Sequence, residues 1–136
     1  MGLIYQHIRL SNAAKPELEE LDANALVDSG AADLCISELV AKQLRLEKIE
    51  ERMVALADGQ HKIVDYVGPV LVEAFGRRAF TGAMVTGGEV LLGAIPMQAM
   101  DVLIDPRRHQ VIPNPAHPNI PGAMAVGVRN AREDEK

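Results

Sequence analysis

Leu26-Val27-Asp28-Ser29-Gly30-Ala31 sets a carboxylate directly after an apolar run and directly before a hydroxyl residue and a glycine. Ala25, Leu26 and Val27 have the composition of a short strand, and Asp28-Ser29-Gly30 that of a tight turn ending it. A charge at the end of a buried strand must be compensated by hydrogen bonds or neighbours, or its pKa must rise. Glycine lets the backbone double back, so that amides and a hydroxyl converge on the carboxylate. A catalytic carboxyl is held rigid in this way. Taken alone, the tripeptide reads equally as a surface turn.

Outward from this stretch, the pattern is mostly β. Gly2 to Leu10 alternates, with Ile4, Gln6, Ile8 and Leu10 on one face and Leu3, Tyr5, His7 and Arg9 on the other. Ser11 to Pro16 reads as a loop and Glu17 to Asp22 as a solvated acidic stretch. Downstream, Ile36 to Leu46 reads as a short helix, with Ser37 as cap and Leu39, Val40 and Leu44 on one face. A strand follows from about Glu51 into the two-residue turn signal Asp58-Gly59. Gly68-Pro69 breaks the returning arm, Val70 to Phe75 resumes it, and Gly76-Arg77 turns the chain into a strand over Ala79 to Val85. Thr86-Gly87-Gly88 ends that strand. Val90-Leu91-Leu92 is a buried-looking run closed by Gly93, 63 residues after Gly30. Pro96 to Asp101 suits one helical turn with proline at its first position. Val102 to Ile104 and Gln110 to Ile112 bracket a turn at Asp105 to Arg108. The chain after Pro113 is rich in proline and glycine and ends in Arg132-Glu133-Asp134-Glu135-Lys136, the composition of a disordered tail.

The Asp-Ser-Gly loop, the hairpin turn at Asp58-Gly59 and the apolar-apolar-Gly run Leu91-Leu92-Gly93, in that order, resemble the retropepsin-like aspartic peptidases. Leu91 to Pro115, LLGAIPMQAMDVLIDPRRHQVIPNP, looks especially like the bacterial single-domain members, and the resemblance spans about Leu3 to Pro115. It implies a half-barrel of the acid-protease type with one or two short helices, closed by homodimerisation. Residues 1–115 would form the peptidase domain and 116–136 a flexible tail. Asp28 matches the catalytic aspartate, Ser29 the hydroxyl that braces two active-site loops, Gly30 the tight-turn glycine, and Ala31 completes the loop. Asp58, Gly59 and Gln60 match the flap tip that closes over substrate. Gly93, preceded by Leu92, matches the glycine packed behind the active-site loop. Viral members carry an acidic residue two after the motif glycine and an arginine after the second glycine. Here these places hold Ala32 and Ala94, so no buried charge is orphaned but one substrate-side contact is lost, for which Asp33 is a partial stand-in. The flap also has one glycine where viral flaps have several.

By the chemistry this resemblance implies, one carboxylate deprotonates a water while a second, protonated, polarises the scissile carbonyl. Two carboxyls about 3 Å apart share one proton, because both cannot ionise at that distance. The chain offers one such aspartate, so the dyad requires Asp28 of a second copy at a two-fold axis. A peptide or protein substrate would lie extended between flap and dyad, against apolar walls from Val54, Leu56, Ile63 and Val85. Without a hydroxyl at Ala31, a mildly acid optimum is expected. The expected activity is aspartic-type endoproteolysis without a cofactor.

Composition narrows the alternatives. The chain has 136 residues, 48% hydrophobic and 24% charged, which is room for one domain with a real core. A net charge of −5, four aromatic rings and no tryptophan argue against nucleic acid or an anionic membrane as partner. One cysteine, Cys35, cannot form an internal disulfide or a thiolate zinc site. With no signal peptide recognisable, a cytoplasmic setting is expected. His7, His61, His109 and His117 do not cluster, so no metal site is expected. Cys35 reads as a buried small hydrophobe, Met97 and Met100 as core filler, and Arg107 and Arg108 as solvated. Two rivals remain: a non-catalytic dimeric peptide-binding module on the same fold, and an unrelated small β-barrel binding a partner by strand addition. An exposed Asp28 far from any symmetry axis would favour the barrel.

Overall fold

A computed structural model describes residues 2–124. The acidic end Arg132 to Lys136 lies outside the described residues. Alternation on β1 (Tyr5–Asn12) sends Ile8, Leu10 and Asn12 inward and His7 and Arg9 outward. This strand is antiparallel to β2 (Leu21–Val27), and its second half also pairs with β5 (His61–Ala74), Arg9 opposite Glu73 and Asn12 opposite Val70. That second pairing closes six strands into a barrel, in the order β1, β2, β7 (Leu91–Leu92), β3 (Leu34–Ile36), β6 (Arg77–Val85) and β5. β4 (Glu47–Ala55) pairs with β5 alone and extends the sheet as an arm. β8 (Val102–Asp105) and β9 (Gln110–Pro113) form a separate hairpin.

The barrel is filled by Ile8, Leu10, Leu34, Ile36, Val70, Val72 and Leu92, all fully buried, each contributing about 1.5–3 kcal/mol on burial. Met97 and Met100 of α2 (Ala94–Met100) join this core as filler. Asn12, the polar residue at the end of the inward row, is satisfied on both sides. Its amide donates to the carbonyls of Leu44 (2.9 Å) and Arg45 (3.2 Å), and its oxygen accepts from the amides of Ala14 and Lys15.

Several boundaries differ from the sequence expectation. β2 starts at Leu21, so the end of the acidic stretch is strand: Asp22 is exposed, in register with Arg9, and its carboxylate pairs with His7 (3.2 Å). α1 is shorter than expected, Glu38–Gln43, with Ser37 Oγ accepting from the Val40 amide (3.2 Å). Its buried residue is Ala41, with the C-cap Leu44 buried beyond it, whereas Leu39 is exposed. β3 takes Leu34–Ile36, and β4 begins at Glu47, four residues before the expected start. Gly68-Pro69, a cis peptide, does not break β5: the strand absorbs it as a register shift between Val67 and Val70 against β6. α2 starts with Gly93 as cap and Ala94 first, which puts Pro96 third rather than first, still within the turn whose amides need no helical partner.

The chain past Pro115 stays on the domain as far as Gly122. Asp101, in the left-handed conformation (φ 55°) that ends α2, accepts from Asn114 Nδ2 (3.0 Å) and the Gly122 amide (2.7 Å), and its carboxylate meets His117 Nδ1 (2.7 Å). Buried Arg77 donates to the carbonyls of Asp101 (2.8 Å) and His117. These bonds to the carboxylate, the Asn114 amide first and the Gly122 amide next, hold Asp101 down at about 2.

Candidate active site

β7 lies between β2 and β3, parallel to the first and antiparallel to the second. The loop from Asp28 to Asp33, which joins those two strands, therefore has to pass over the end of β7. Asp28 donates its amide to the Leu92 carbonyl (3.1 Å), and Leu26 donates to Val90 (2.9 Å). Beyond Gly93 the direction reverses: the amides of Ala94 and Ile95 donate to the carbonyls of Ala31 and Ala32, both at 2.8 Å. The loop is pinned at both ends by one short stretch of backbone.

Gly93 makes that close approach possible. A Cβ there would lie 2.2 Å from the Asp33 carbonyl oxygen and 2.8 Å from that of Ala31. Its φ of −88° is open to any residue, so the requirement is for space, not for backbone freedom. Leu92 beside it is fully buried. At the other end of the loop, Asp28 Oδ1 accepts from the Gly30 amide (2.9 Å), and the Ala31 amide donates to the Asp28 carbonyl (3.2 Å). A Cβ on Gly30 would stand 3.1 Å from that same Oδ1, so glycine lets the turn draw tight around the carboxylate. Asp28, Ser29 and Gly30 are exposed in the single chain, and Asp28 Oδ2 has no hydrogen-bond partner among the described residues.

Asp28, Gly30 and Ala31 face a groove of about 760 Å³. Its far wall is the β4–β5 hairpin, through Val54, Ala55 and Ala57, and its floor is Cys35, Met84 and Leu91. Thr86, Gly88 and Glu89 form the remaining rim. Asp58, Gly59 and Gln60 are at the exposed tip of the hairpin, as their turn signal placed them. The loop is one residue longer than expected: Leu56 donates to Gln60 (2.8 Å) around Ala57-Asp58-Gly59, with Gly59 at φ +86° and Asp58 Oδ1 accepting from the Gln60 amide (2.9 Å).

Of the four expected walls, Val54 alone lines this groove. Ile63 is the cross-strand partner of Met53, one residue out of phase with Val54, and so faces the other side of the arm. Val85 is likewise out of phase with Met84, which takes its place, and Ile63 and Val85 share a hollow with Lys42 and Arg45 instead. Leu56 is exposed beyond the wall. Asp33, expected beside the substrate, is 9% exposed and stands apart from the groove lining, its carboxylate 3.9 Å from Arg52 on β4.

Arg52 carried no signal in the sequence. Its guanidinium lies 3.6 Å from the centroid of the Tyr66 ring and 3.0 Å from Glu50, and Tyr66 in turn covers Gly82, where a Cβ would come within 2.2 Å of the ring. The stack ties the arm to the barrel next to the Asp28 loop. The one legible hint was a glycine inside a strand, which marks close approach by a neighbour. Burial, reinforced by the Asp33 carboxylate, pushes the Cys35 thiol up, so it sits in the floor as a thiol and not as a nucleophile. Ser29 lines a second hollow with Ala94, Met97, Gln98 and Leu103, mostly apolar.

Elsewhere, a hollow of similar size is lined by Arg9, Glu19, Glu20, Glu73 and His7, and most of its charges pair with one another, Arg9 with Glu20 (3.5 Å) and Glu73 (3.9 Å) and His7 with Asp22 (3.2 Å), while Glu19 has no ion-pair partner among the described residues. No group of three or more metal-ligating side chains occurs among the described residues, and no helix there is long and apolar enough to cross a membrane. No family model and no curated protein matches the chain.

Proposed function

We propose that this chain is one half of an aspartic endopeptidase, completed when a second copy brings its own Asp28 to a two-fold axis. The observation that carries the reading is a carboxylate that is at once exposed and immobilised. Oδ1 is held by the Gly30 amide, the loop is pinned to Leu92, Ala94 and Ile95, and Oδ2 is left without a partner among the described residues, at the edge of a largely apolar groove. A structural carboxylate is normally turned toward its partners, whereas half of a dyad must stay open for the other half.

In the dimer the two Asp28 carboxyls share one proton. The ionised one takes a proton from water as the water attacks the scissile carbonyl carbon, and the protonated one donates to the carbonyl oxygen. Collapse of the tetrahedral intermediate returns a proton to the departing nitrogen. The substrate lies extended along the groove under the β4–β5 hairpin, its backbone bonded as an added strand. Ser29 and the apolar hollow around Leu103 form the surface that meets the partner. A non-catalytic peptide-binding dimer would use the same groove without the proton transfer. In an unrelated barrel, Asp28 would stay solvated in every assembly.

The test joins assembly to activity. Light scattering should give twice the mass of the chain, and the wild type should cut unfolded polypeptide at apolar sites. Asp28→Asn should keep the dimer and lower kcat/KM by roughly 10⁴-fold or more. An active monomer, or undiminished cleavage by Asp28→Asn, refutes the proposal. Peptide binding without cleavage favours the non-catalytic module.

A further inference from the structure

We infer that Glu89 is a specificity-determining residue that recognises a positively charged side chain on an extended substrate whose apolar residues lie on the groove floor. The inference rests on the peptidase reading above and adds the class of substrate. Among the described residues, Asp28 and Glu89 are the only charged ones that line the groove, and no lysine, arginine or histidine lines it. Asp28 is committed to the dyad, which leaves Glu89 without an assigned role.

Four carboxylates of the β4–β5 arm and the Asp28 loop are already engaged. Asp33 faces Arg52 (3.9 Å), Glu50 meets the same guanidinium (3.0 Å), Asp65 meets Lys48 (3.3 Å), and Asp58 caps the hairpin turn. Glu89 is exposed and has no ion-pair partner among the described residues. Gly87 and Gly88 precede it and offer no side chain to cover it, with Gly87 at φ +85° turning the chain at the groove's rim. Its position is fixed from the other side, since the next residue, Val90, accepts from the Leu26 amide (2.9 Å) and leads into β7, the strand beneath the Asp28 loop.

The Glu89 carboxylate, with no cation among the described lining residues, gives the rim a field that attracts positive charge and rejects negative charge. Cys35, Val54, Met84 and Leu91 supply apolar contact between them. The complementary ligand is a strand with apolar side chains at the scissile bond and a lysine or arginine a few residues away. Two-fold symmetry repeats Glu89 on the opposite side of that bond, so a cation on either flank is recognised.

The experiment uses two peptides with the same apolar cleavage site, flanked either by lysine or by its uncharged isostere norleucine. Their cleavage is measured in low salt, and their binding to the Asp28→Asn dimer is followed by fluorescence anisotropy. An exposed ion pair at this rim should favour the lysine peptide about fivefold. Glu89→Gln should bring that ratio to about one, and Glu89→Lys should invert it. Cleavage with a ratio that neither substitution moves overturns the role of Glu89 and leaves the peptidase reading standing. No cleavage by the wild type, with binding that still prefers lysine through Glu89, upholds the cation subsite and overturns the peptidase. No cleavage and no Glu89-dependent preference overturn both.

Discussion

Gly93 has a Cα hydrogen where any other residue would have a carbon 2.2 Å from the Asp33 carbonyl oxygen. The neighbouring atoms are backbone, pinned by the hydrogen bonds that hold the Asp28 loop, so they cannot yield without moving that loop. Gly93→Ala should therefore destabilise the fold by about 1–3 kcal/mol in urea titrations, as overpacking does, and lower cleavage more than the stability loss explains. A variant as stable and as active as the wild type would show that the loop has slack. At this scale the sequence was informative wherever a residue type is rare for its setting. An aspartate ending an apolar run and a glycine ending another were both legible, and both reach the same loop. Arg52, Tyr66 and Glu89 were not, because an arginine or a glutamate on a strand or loop is ordinary until its neighbours are known.

The β4–β5 hairpin forms the far wall of the groove, and its free end is exposed from Leu56 to Ile63. Its tip depends on Gly59 at φ +86°, where nothing crowds a side chain and the obstacle is the backbone conformation alone. Gly59→Ala should cost about 1–2 kcal/mol locally. Because the tip opens without the barrel, amide exchange at Leu56 and Gly59 should speed up roughly fivefold to thirtyfold while the global unfolding midpoint barely moves. Unchanged exchange would mean the turn tolerates a side chain there. Among the elements, strands with alternating patterns were placed well and breaks were placed badly. Gly68-Pro69 looked like an ending, yet β5 runs through it because β6 and the β1 turn accept a register shift, with the Pro69 carbonyl taking the Ala13 amide (3.1 Å). The helix stops short of the Ile36 to Leu46 span because Ile36 belongs to the buried cluster and Leu46 packs against it, both from non-helical positions.

Asp101 joins three parts of the molecule: the end of α2, Arg77 at the start of β6, and the segment through Asn114, His117 and Gly122. Its folded-state pKa of about 2 lies below the ordinary aspartate value of 3.8. A carboxylate depressed in the folded state stabilises fully above its unfolded pKa, and the contribution disappears as pH falls through the folded value. Thermal melts should therefore show stability dropping between about pH 4 and pH 2, and Asp101→Asn should flatten that part of the curve. An identical slope in the variant would place the acid-sensitive group elsewhere.

Local chemistry alone determined that the chain is mostly β, that Asp28 sits in a turn after a strand, that a hairpin tip forms at Asp58-Gly59, and that Met97 and Met100 go inside. Alternation, turn residues and charge act over a few residues, and a sequence displays them directly. Tertiary structure decided that β7 slides between β2 and β3 beneath the Asp28 loop, that Asp33 turns to Arg52, that Met84 and not Val85 floors the groove, and that the chain past Pro115 is held by Asp101. Each of these is a contact between segments far apart in the chain, and such pairings leave no local mark, because burial and strand register are settled only when the whole barrel closes.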